Sequence, residues 1–143
     1  MSASNSYEVK ILDHILGTAS LTSPATVYVA LFTASDSTGN TLENLEQGIL
    51  TNEVAGNGYS RQSITFGAAS GGQAQGPSAG SVTFTASGGD WGEIVALAIM
   101  DKDQTDSAGD GEVIVYGSLA TAKTVSDSDS LQFSTNSITV TLS

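Results

Sequence analysis

The sequence predicts an all-β fold, a jelly-roll-like β-sandwich of seven to eight strands preceded by a short N-terminal helix. Short apolar or alternating runs recur from residue 26 to the C-terminus, at the length of sandwich strands. They are separated by Gly-, Ser- and Asp-rich stretches that supply turns. Only one segment, near the start, carries the helical spacing of apolar residues.

That segment runs from Asn5 to Gly17. Asn5 is a good N-cap residue, and Glu8 stands three positions on, where a capping-box carboxylate reaches back. Val9, Leu12, Ile15 and Leu16 share a helical face, Ile11 widens it, and Gly17 is a natural stop. A helix this short is marginal alone, so its apolar face needs a partner, either its own sheet or a neighbouring subunit.

The strands follow. Thr26–Phe32 is apolar on both faces and reads as a central strand. Residues 59–66 alternate, as do Val82 and Phe84 with Ser81, Thr83 and Thr85. Ile94–Met100 is a continuous apolar run suited to a second buried strand. Val113–Leu119, Leu131–Phe133 and Ile138–Leu142 complete the set. Between them lie a long acidic connection over residues 33–58, with a helical turn expected around Leu42–Gln47, and a small-residue stretch over 67–80. Loops of such length in a compact domain are usually functional or disordered.

A chain of 143 residues fits one domain, spanning 1–143, with residues 1–17 as a helical arm. Its hydrophobic fraction of 39% suffices for a core of its own. No apolar run approaches membrane-spanning length, and the polar start lacks the features of a secretory signal. With no cysteine, disulfides and thiolate chemistry are excluded. Four basic residues, Lys10, Arg61, Lys102 and Lys123, stand against 15 acidic ones, giving a net charge of −11. No basic stripe exists to neutralise phosphates, so no nucleic-acid partner and no anionic membrane partner is expected.

Catalytic signals are thin. His14 is the single histidine, no G-x-S-x-G elbow accompanies it, and Glu93 lacks the paired carboxylate a glycosidase needs. The glycines over 67–80 lack the Lys-Ser/Thr of a phosphate-binding loop. No enzyme, catalytic residue or cofactor is therefore expected. In the stretch Asp101–Glu112, Asp101, Asp103, Thr105 and Glu112 stand at calcium-loop positions. Asp106 takes the place of the turn glycine, and the flanks are strands, so a solvated acidic hairpin loop is the competing reading.

Lys10–Gly17 followed by Pro24–Thr33, then Gly58–Gln62 with Phe66–Ala69, Trp91-Gly92, Lys123–Val125 and Asp129–Leu131, resembles a family of small structural proteins of tailed-bacteriophage virions. Some members are labelled tail-fibre proteins, and others resemble capsid cement or decoration proteins. The resemblance covers nearly the whole chain except residues 34–53. It implies a virion component without chemistry. Between its two locations, a short single domain without fibrous repeats or a cluster of loop aromatics favours a cement protein on the capsid surface. Such a protein would be a homo-trimer bracing the major capsid protein. The alternative is a tail-fibre or baseplate module contacting the host. The expected contact residues are Tyr7, Ile11 and Ile15 on the helix and Leu42 and Leu45 in the acidic connection, with intramolecular packing as the competing role for the helix and disorder for the loop.

Overall fold

The computed structural model describes residues 1–34, 41–104 and 111–142. Among them the chain order is β1 (Ser2–Ala3), α1 (Asn5–Ile15), β2 (Val27–Thr33), α2 (Thr41–Glu46), β3 (Gln62–Ile64), β4 (Gln73–Gly76), β5 (Val82–Thr85), β6 (Gly92–Met100), β7 (Val113–Val125), β8 (Ser130–Phe133) and β9 (Ile138–Thr141).

Five strands form one antiparallel sheet in the order β1-β7-β6-β2-β3. Two further antiparallel ladders, β4-β9 and β5-β8, pair residues far apart in sequence. A two-stranded ladder is marginal alone. Both lie over one face of the large sheet: Val82, Phe84, Phe133 and Ile138 share a core with Val29, Leu31, Leu97 and Ile99. The all-β sandwich expected from the sequence is therefore present. Its jelly-roll refinement gains no support from an order of one five-stranded sheet and two short ladders.

The opposite face of the large sheet is also covered, which explains the uninterrupted apolar runs of β2 and β6. Ala30, Ala96 and Ala98 make that face shallow, and Leu45 of α2 seats on it beside Phe32, Met100 and Val113. Leu45 has no exposed surface. The helical turn expected around Leu42–Gln47 is thus real, and its role is to close a second, smaller core.

A bulge decides which β6 residues meet which core. On strict alternation Ile94 and Ala96 would share a face. Instead the register shifts between them relative to both neighbours, passing over Val95. Ile94 consequently joins Leu97 and Ile99 in the main core, while Ala96 faces α2.

One buried ion pair locks the end of the acidic connection to the sheet. Arg61 holds Glu53 through two bonds, Nε to Oε1 at 2.7 Å and Nη2 to Oε2 at 2.6 Å, and its Nη1 donates to the Lys102 carbonyl at 3.0 Å. The Tyr59 hydroxyl donates to Glu53 Oε1 at 3.0 Å and accepts from the Leu31 amide at 3.0 Å. Burial, then the Glu53 charge, pushes the Tyr59 hydroxyl pKa far up, so it remains a donor.

Three local expectations are corrected. The strand expected over residues 59–66 is short, because Tyr59 and Arg61 turn inward to the Glu53 network. Residues 67–80 contain a strand, β4, whose polar Gln73 and Gln75 hid it from hydrophobic patterning. Finally, β7 runs on to Val125 rather than ending at Leu119.

Candidate intersubunit surface

The N-terminal arm is anchored by its polar residues. Ser4, not Asn5, is the N-cap: its hydroxyl accepts from the Tyr7 amide at 3.4 Å and donates to the Val113 carbonyl. Both residue types cap well, and only Ser4 is placed to bond β7 at the same time. This shifts the frame by one, so Glu8 lies beyond the capping-box position. β1 adds two residues to the sheet edge beside β7, and the Ser4 amide donates to Ile114 O at 3.2 Å. Further along α1, Ser6 donates to Glu112 Oε1 at 3.0 Å and Lys10 pairs with Glu112 Oε2. Lys10 also lies 4.8 Å from the centre of the Tyr7 ring. At the far end Gly17 takes φ +75°, a left-handed cap that glycine adopts without steric cost.

These ties fix which face of α1 looks outward. Tyr7 is buried, and burial with the nearby Asp101 and Glu112 carboxylates pushes its pKa up to about 12. Ile11 is half-buried. The aliphatic stripe points away from the fold: Val9 is 58% exposed, Leu12 57%, Ile15 71% and Leu16 72%. Leu142, itself exposed, lines a shallow groove with Ile11 and Leu12, extending the stripe onto the end of β9. The helix thus presents its apolar side to solvent and its polar ties to the protein. Single exposed leucines are ordinary on a protein surface, whereas a contiguous patch marks a contact site.

The five side chains expected to make contacts therefore divide. Ile15 lies fully on the outward face, Leu42 is exposed at the margin of α2, and Ile11 lies partly beneath the stripe. Tyr7 and Leu45 are spent on the chain's own packing and offer almost no surface. The spacing put Tyr7 and Ile11 on the same side of α1 as Ile15. The polar anchors rotate that side so that only part of it emerges. Val9, Leu12, Leu16 and Leu142 are the contact-capable residues missing from that expectation, although the first three belong to the helical stripe read from the sequence.

The acidic stretch at Asp101–Glu112 serves the same anchoring. Asp101 Oδ1 accepts from the Glu112 amide at 2.7 Å, closing the neck of the connection between β6 and β7. The Glu112 carboxylate is taken up by Lys10 and Ser6 of α1. Thr105 lies outside the described residues. Among the described residues no three acidic or histidine side chains converge to hold a metal ion. His14 accepts from the Leu21 amide through Nδ1 at 3.2 Å, pinning the chain that follows α1.

The Lys10 bond holds the Glu112 carboxyl below its ordinary value of 4.5. A carboxyl whose folded pKa is depressed stabilises the fold above its unfolded pKa and loses that contribution as pH falls through the folded value. Acidification below about pH 4 is therefore expected to loosen α1 before the sheets, read as loss of amide-exchange protection over residues 7–15. Glu112→Gln should show reduced protection at neutral pH and no further acid-dependent loss there. Because both partners are over a third exposed, the effect is small and shrinks with added salt.

A family model described as podophage GP4 fiber I protein gp80 matches residues 2–141. The chain belongs to that family. It is a structural component of a tailed-phage virion, as the resemblance implied. A search of curated proteins finds no match. The gp80 family is a fibre family, so it lends no support to the cement role or the capsid-surface location expected from the sequence; the fibre alternative fits it better.

Proposed function

We propose that this chain is a tail-fibre module, a non-catalytic subunit that works by surface contact with other virion subunits. The observation that carries the reading is the match to a fibre family along nearly the entire chain. The outward aliphatic stripe of α1 adds to it, since a virion subunit needs apolar surface for its neighbours to cover. The net charge of −11 keeps the unassembled chain soluble and turns away nucleic acid, so the contacts favoured are protein–protein.

An image reconstruction of virions carrying a bulky tag on the exposed Gly71-Gly72 turn before β4 tests the location. Added density on the tail fibres is the expected result. Density confined to the capsid shell would restore the cement role and its partner, the major capsid protein, and overturn the fibre reading.

A further inference from the structure

We propose that the pocket between α1 and the neck joining β6 to β7 receives an arginine side chain from a partner protein. The ligand chemistry follows from the lining of the pocket and does not rest on the fibre reading. That reading only makes a neighbouring virion subunit the source.

The pocket holds about 430 Å³. α1 supplies Tyr7, Lys10 and Asp13 to it, the neck supplies Asp101 and Glu112, and residues 19–24 close the remaining side. Its walls are fixed by the chain's own bonds. The Leu21 amide donates to His14 Nδ1 at 3.2 Å, and the Thr18 and Ala19 amides donate to the Asp13 carbonyl at 2.9 and 3.2 Å. A site already held in shape loses little freedom when it binds.

The Tyr7 hydroxyl is the feature that points to a ligand. Tyr7 is only 6% exposed, and among the described residues its hydroxyl has no hydrogen-bond partner. No side-chain oxygen or nitrogen among those residues is both fully enclosed and unpaired, so this hydroxyl opens into the pocket that Tyr7 lines. A polar group set in an otherwise buried side chain, with no protein partner, is placed to bond another molecule. Burial first, then the Asp101 and Glu112 charges, act on it, and the same two carboxylates attract a cation beside it.

The lining selects the cation. Asp13, Asp101 and Glu112 stand against one ammonium, Lys10, which is already bonded to Glu112. Among the described residues Asp13 and Asp101 each use one carboxylate oxygen, for the Thr18 hydroxyl and the Glu112 amide, and keep the other. These groups do not converge closely enough for a metal ion. A guanidinium spreads five donors over a plane and so reaches acceptors that stand apart, the Tyr7 oxygen among them. Leu21 and Pro24, half-buried in the wall, suit its aliphatic stem. A sugar fits less well, because Tyr7 is buried with Lys10 4.8 Å from its ring centre, which leaves no open face for stacking.

The test is a titration of the isotope-labelled full chain with N-acetyl-arginine methylamide, followed through amide chemical shifts. Saturable shifts confined to residues 7–13, 19–23, 101 and 112 are expected. The dissociation constant should be on the order of 1 mM, as suits a ligand of about 16 non-hydrogen atoms. N-acetyl-citrulline methylamide, the uncharged isostere, should give no saturable shift. Tyr7→Phe should weaken the arginine probe about tenfold. Its melting temperature should stay within about 3 °C of the parent's, because the hydroxyl it removes bonds nothing in the folded chain. Asp101→Asn, which keeps an acceptor for the Glu112 amide, should weaken the probe by a similar factor. Equal binding of the citrulline analogue, a failure to saturate, or shifts that Tyr7→Phe leaves unchanged would each overturn the proposal. So would tighter binding of putrescine or agmatine than of the capped arginine, which would make the pocket a site for free amines. None of these outcomes bears on the fibre location, which the tagged virions decide.

Discussion

Arg61→Ala is expected to destabilise the fold by about 3–5 kcal/mol, because it removes one partner of a buried ion pair and leaves the other charge uncompensated. Arg61 is 5% exposed, and the Glu53 side chain it leaves behind is nearly as buried. The lost guanidinium also vacates the Lys102 carbonyl and leaves Glu53 with the Tyr59 hydroxyl as its remaining side-chain partner. Urea denaturation at neutral pH should show the midpoint fall with little change in slope. Arg61→Lys should recover part of the loss, since a lysine keeps the charge but not the two-pronged geometry. Replacing both residues together, as Glu53→Leu with Arg61→Met, should cost much less than the sum of the single changes, for no charge is then left buried. A midpoint in Arg61→Ala within error of the parent would show that water reaches Glu53 and that the network is not a structural anchor.

Phe84→Ala is expected to cost about 3–5 kcal/mol, the range for removing a large aromatic from a packed core. Phe84 lies between Tyr59, stacked at 6.1 Å, and Phe133, edge-on at 6.3 Å. Its place in β5 gives the loss a location as well as a size. Among the described residues no further strand is hydrogen-bonded to the β5-β8 ladder, which is held against the large sheet by Val82, Phe84 and Phe133. Amide exchange should therefore accelerate first over residues 82–85 and 130–133, before the pairing of β2 with β6 opens. Thr83→Ala, on the exposed side of the same strand, should move stability by less than about 0.5 kcal/mol. Equal effects from the two changes would mean that this ladder is not packed as described.

By contrast, Leu12→Glu should leave the urea midpoint near its original value, because Leu12 already faces water in the single chain.

Much of the architecture was legible in the sequence because it depends on local chemistry. The apolar runs of β2 and β6 announced strands covered on both faces, and the alternation of Val82–Thr85 and Ile138–Thr141 announced half-buried ones. The period of Val9, Leu12, Ile15 and Leu16 announced a helix. The family resemblance rested on short segments spread along the chain, and so reached the virion but not the place within it.

What escaped was decided at long range. β4 is too polar to be seen without its partner β9, with which it shares backbone bonds rather than apolar burial. The bulge at Val95 appears only once β2 and β7 fix the register on either side of it. Above all, periodicity tells which residues share a face of a helix but not where that face points. The orientation of α1 is set by Ser4, Ser6, Lys10 and Tyr7 finding β7 and Glu112 more than a hundred residues away. By itself the sequence determined the elements and the amphipathic stripe, because periodicity and capping are written within a few residues. Only the tertiary structure decided that the stripe faces outward and that Leu45 does not, because that outcome depends on which distant groups satisfy each buried polar atom.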